Sequence, residues 1–128
     1  MTHSNMDELA TFLKSASWKK DKDNLNVHFC DDDGLEPLLV KASSELPDYL
    51  QRHGFQVWKV LEETKFVEKE GIGKQGYIIP VTIISGHPRL LSEPSQPLLV
   101  PNTPAVFQRE PVLSPALYLI LALPPTST

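Results

Sequence analysis

The chain has a single cysteine, no long apolar run and no surplus of positive charge, and each shortage closes off a class of protein. Cys30, alone among 128 residues, excludes an intramolecular disulfide framework. Neither Cys-x-x-Cys nor His-x-x-x-His occurs, so the spacings typical of zinc sites are missing. No apolar stretch reaches the roughly 20 residues that a membrane-spanning helix needs, and no membrane partner is expected. Twelve Lys and Arg against sixteen Asp and Glu give a net charge of −4. That balance does not suit a general nucleic-acid binder, whose phosphate contacts require a basic face. The first residues, Met1 to Glu8, are polar and acidic, unlike a secretory leader. With the lone thiol, they suggest a cytoplasmic protein.

What remains is ordinary globular material, 41% hydrophobic and 22% charged, and 128 residues allow one domain with a modest core. Met6 to Ala16 reads as a helix capped by Asn5 or Asp7, with Leu9, Phe12, Leu13 and Ala16 on its apolar side. Asn24 to Cys30 alternates polar and apolar, as a half-buried strand does. Asp31-Asp32-Asp33-Gly34 is turn chemistry. Leu38 to Ala42 reads as a second strand. Glu45 to Gly54 reads as a short helix, with Pro47 in its first turn and Gly54 closing it. Phe55 to Leu61 and Tyr77 to Ser85 are strand-forming runs. The glycines between them suggest a hairpin, with the charged Glu62 to Glu70 at its tip. Pro80 cannot donate to a ladder, so it belongs at a bulge or an unpaired edge.

Glu8-Leu9-x-x-Phe12-Leu13 resembles Glu45-Leu46-x-x-Tyr49-Leu50 at an offset of 37, a faint internal repeat. The expected fold for residues 1–86 is therefore a small two-layer α+β domain in α-β-β-α-β-β order. Its sheet would be antiparallel or mixed, with both helices on one face.

Residues 87–128 differ. They hold nine of the twelve prolines and only four charged residues, Arg89, Glu93, Arg109 and Glu110. Short apolar runs alternate with proline, and such runs do not stay in water without cause. This segment is expected to form a proline-rich arm that packs on the head, on a second copy or on a partner. Its candidate interaction residues are Leu98, Leu99, Val100, Val106, Phe107, Tyr118, Leu119 and Leu121. Ser114-Pro115 could start a helix over Ala116 to Leu123, apolar all round and hence buried or at an interface.

Chemistry-bearing motifs are weak. Gly71-Ile72-Gly73-Lys74-Gln75-Gly76 has the GxGxxG spacing of a dinucleotide loop, but a strand follows where that loop requires a helix. His28, Cys30 and Asp31 to Asp33 carry ligand types without metal-site spacing. Cys30 with one of His3, His28, His53 or His87 lacks any further sign of a nucleophile and its base. Trp18, Trp58, Lys14, Lys19, Lys20 and Lys22 would make an aromatic and basic surface, diluted by Asp21 and Asp23. Pro94-x-x-Pro97 and Pro101-x-x-Pro104 match a polyproline ligand pattern. The expected function is thus a non-catalytic interaction or assembly module, with a protein partner or self-association and no cofactor or metal. The alternative is a small ligand-binding, metal-binding or enzymatic domain with its site near His28, Cys30 and Asp31 to Asp33.

Overall fold

The computed structural model describes residues 4–20, 27–65 and 75–124. In chain order these form α1 (Asn5–Leu13), β1 (Trp18–Lys20), β2 (Val27–Cys30), α2 (Leu35–Ser43), a 3₁₀ turn (Asp48–Leu50), β3 (Gly54–Val60) and β4 (Thr64–Lys65). There follow β5 (Gly76–Ile83), β6 (Ala105–Phe107), β7 (Val112–Leu113) and β8 (Leu117–Leu123). Six strands make one sheet in the order β1-β2-β3-β8-β5-β6, and β4 pairs with β7 apart from it. Every pairing is antiparallel, so the fold is of the α+β kind.

α1 begins where Ser4 and Asp7 cap each other. The Ser4 hydroxyl accepts from the Asp7 N–H, and the Asp7 carboxylate accepts from the Ser4 N–H. Asp7 therefore takes part in the cap, although the capping position is Ser4. Met6, Leu9 and Leu13 bury the inner side.

Two segments differ from expectation. Leu38 to Ala42 is not a strand but the body of α2. Leu35, Leu38, Leu39 and Ala42 recur at helical spacing and all join the helix-side core, while Val40 and Lys41 face outward. Glu45 to Gly54 is not a helix. Pro47 disfavours the helical conformation of the residue before it and is itself extended at ψ 152°. Only the single turn Asp48–Leu50 remains, held by the Gln51 amide donating to the Ser43 and Leu46 carbonyls. Gly54 opens β3 instead of closing a helix. The two halves of the apparent repeat thus adopt different structures.

The larger correction concerns the last third of the chain. Leu117–Leu123 is a strand, not a helix, and it lies between β3 and β5. The hairpin expected between those two strands does not form, because β8 pairs with both. The boundary expected at residue 86 is crossed by the centre of the sheet. Leu117, Leu119 and Leu121 point into one core, and Tyr118, Ile120 and Ala122 into the other. A strand buried on both faces reads as one continuous apolar run, which is also how an all-apolar helix reads.

The helices cover one face of the sheet. The opposite face is covered by irregular chain carrying Leu90 and Leu99 and by Leu113 of β7, so the expected two layers become three. Pro80 does sit at a bulge: the register slips between Pro80 and Thr82, and the Pro80 carbonyl accepts from the Asn102 N–H at 2.8 Å.

Candidate functional site

The eight candidate interaction residues divide into two groups. Leu99, Phe107, Leu119 and Leu121 are buried in this chain's own core, and Tyr118 is half-buried against the Trp18 ring. Leu98, Val100 and Val106 remain 45%, 46% and 45% exposed, high for large aliphatic side chains. These three come together. They line a groove of about 470 Å³, walled also by Pro94, Pro97 and Pro104.

Local structure holds the groove open. Arg89 and Leu98 form a bridge, the Leu90 N–H donates to the Pro97 carbonyl, and the Arg89 guanidinium donates to the Gln96 carbonyl. Gln96 and Asn102 have positive φ, 45° and 65°. Each reverses the chain where a polyproline helix would continue at about −75°. The two PxxP segments are therefore fixed walls and not free polyproline ligands. The one ionic group in the lining, Glu93, bonds to the Gln108 N–H at 3.0 Å and pairs with Arg109 at 3.4 Å. On the far side runs β6, which among the described residues is the last strand of the sheet and has a strand partner only on its β5 side.

The corner around Cys30 is arranged differently. Asp32 accepts from the backbone N–H groups of Gly34 and Ser17, both at 2.9 Å. Those bonds, Gly34 first, hold its carboxyl below the usual aspartate range. Asp31 accepts from the Ser17 hydroxyl at 2.8 Å. Both carboxylates are thus engaged in shaping the turn. No group of three or more His, Cys, Asp or Glu suited to a metal occurs among the described residues. Burial pushes the Cys30 thiol up, away from the thiolate a nucleophile needs. Cys30 does line a cleft of about 350 Å³ between α2 and β3, with Leu35, Leu39, Phe55 and Trp58.

Other sequence candidates separate in space. Trp18 packs into the helix-side core and Trp58 into the opposite one. Lys22, Gly71, Gly73 and His3 lie outside the described residues. Gly76 is a packing position. A Cβ there would stand 2.6 Å from the Ala122 carbonyl oxygen and 2.8 Å from the Phe107 ring.

One arrangement has no signature along the chain. Lys20 pairs with His28, His28 with Lys59, Lys59 with Tyr118, and Tyr118 with Thr82. These five residues form one row across β1, β2, β3, β8 and β5, on the helix-side face. Sequence reasoning singles out Lys20 for its charge, His28 for its imidazole and Tyr118 as part of an apolar run, and does not connect them. Cross-strand register, which places residues from five segments side by side, is what unites them.

No family model, curated protein or solved structure matches this chain. No described helix is long and apolar enough to cross a membrane.

Proposed function

We propose that the protein is a non-catalytic interaction module that takes up an extended, apolar segment of a partner protein along β6. One observation carries this reading: Leu98, Val100 and Val106, the arm's most exposed aliphatic residues, converge on one groove beside an edge strand. An edge strand offers unpaired backbone groups to an incoming strand, and flanking pockets receive its alternate side chains. Because Glu93 is already paired, the groove presents no unmatched charge, and an uncharged segment suits it.

The test is site-specific photo-crosslinking in the native cell, with a photoreactive phenylalanine at position 106 and a control at exposed Val40. A defined partner captured at 106, lost on Leu98→Asp and absent at 40, is the expected result. Equal capture at both positions, or only links between two copies of this chain, would defeat the proposal.

A second reading rests on the cleft beside Cys30, whose volume falls in the range of small-molecule sites. It requires an apolar ligand, and Cys30 is its built-in reporter. Protection of the thiol from alkylation by a bound compound, with the groove unaffected, would favour it.

A further inference from the structure

The row Lys20, His28, Lys59, Tyr118 and Thr82 consists wholly of hydrogen-bond donors. None of these side chains has a hydrogen bond or ion pair within the chain among the described residues. Elsewhere on this face the sheet is apolar and covered by helices; this row lies where the cover ends, and its members are half-buried or exposed.

The sequence places basic residues here despite having acids to spare. Lys20, His28 and Lys59 occupy successive positions across three adjacent strands, and no acidic residue stands in the row. Burial first, then Lys59, then Lys20 hold the His28 imidazole below the ordinary histidine value, which favours its neutral form. Lys59 is also held in place, its Nζ lying 4.9 Å from the Trp18 ring centroid while that ring stacks on Tyr118. Two lysines flanking an imidazole, one of them positioned, in a protein of net charge −4, call for an anion.

The spacing selects the anion. Adjacent strands lie about 4.8 Å apart, so the three basic residues span roughly 10 Å at the backbone and their side chains can converge. Carboxylates on one side of an extended peptide recur only about every 7 Å. Linked phosphoryl groups recur more closely, and each offers several strong acceptor oxygens. We propose that this row binds a compact oligophosphate, free or carried by a nucleotide, with Lys20, His28 and Lys59 around the phosphates and the Tyr118 hydroxyl donating at the edge. The site is independent of the β6 groove.

The experiment is calorimetric titration of the full chain at low salt with sodium tripolyphosphate, adenosine triphosphate in chelator, and a tetraglutamate peptide. Histidine proton resonances are followed in parallel. Binding of both phosphates is expected, weakened about tenfold by Lys59→Gln and less by Lys20→Gln or Tyr118→Phe. Val106→Asp should leave it unchanged. The His28 titration midpoint should rise when tripolyphosphate is bound. Equal affinity for the two phosphates assigns recognition to the phosphate chain alone, and tighter binding of the nucleotide assigns it to the esterified form. Tripolyphosphate binding absent at about 5 mM, or indifferent to Lys59→Gln, or exceeded by tetraglutamate, would overturn the proposal.

Discussion

The Glu45 carboxylate accepts from the Met6 N–H at 2.9 Å and, through its other oxygen, from the Asn5 N–H at 3.1 Å. A side chain just past the end of α2 thereby satisfies free N–H groups at the start of α1. The contact ties the start of α1 to a residue 40 positions further along the chain, and it places a negative charge at a helix N-terminus. Glu45→Ala should cost about 1–2 kcal/mol and lower the melting temperature by roughly 3–8 °C. Glu45→Gln, which keeps one acceptor, should cost less. Thermal unfolding followed by circular dichroism measures both, and a Glu45→Ala protein as stable as the parent would show the cap to be idle.

Removing β8 should abolish the fold and not merely a binding arm. Without Leu117–Leu123, β3 and β5 both lose a neighbour and both cores lose their central residues. A chain ending at Ser114 is expected to lack a cooperative urea transition. Leu119→Ala, at a fully buried position, should cost about 2–5 kcal/mol. A soluble, cooperatively folding truncation would contradict the central placement of this strand.

Gly76→Ala should be destabilising by about 1–3 kcal/mol, the usual cost of overpacking. The added Cβ would meet a backbone oxygen of the central strand, which cannot swing aside as a side chain can. Chemical denaturation of the variant gives the value directly. Parental stability in the Gly76→Ala chain would mean that β5 and β8 can separate at no cost.

Acid should weaken the turn that joins β2 to α2. The native carboxyl of Asp32 is held below its unfolded value of about 3.9 by its bonds to the Gly34 and Ser17 N–H groups. Its contribution is therefore complete above that value and is lost as pH falls through it towards the lower native pKa. Asp32→Asn should flatten the stability–pH curve below about pH 4 and leave its neutral limb parallel to the parent's. An unchanged acid limb would show that this carboxylate is not a source of acid sensitivity.

Several elements were legible because their information is local. The helix read over Met6 to Ala16 carries an apolar stripe, although it ends at Leu13 and its cap is Ser4; Phe55 to Leu61 carries a run of strand formers, and Pro80 a missing donor that must fall at a bulge or an edge. The apolar tail was recognisable as something that needs a dry surface, and Leu98, Val100 and Val106 were among its candidates. Leu38 to Ala42 misled because Leu-Leu-Val suits either period, and the deciding Leu35 lay outside the window read as a strand. Glu45 to Leu50 misled because the pattern of its apolar residues outweighed the restriction that Pro47 places on Leu46.

Composition and local pattern by themselves determined that this is an α+β chain with one cysteine, a capped first helix and an apolar, proline-rich final third. Only the tertiary structure decided that the final third supplies the middle strand of the sheet. It alone decided that four of its candidate residues are used up in the core, and that Lys20, His28, Lys59, Tyr118 and Thr82 stand in one row. The reason is physical. Helix caps and strand periods arise from neighbours in sequence, whereas the partner and register of a strand are chosen by long-range pairing, which leaves no mark on any single segment.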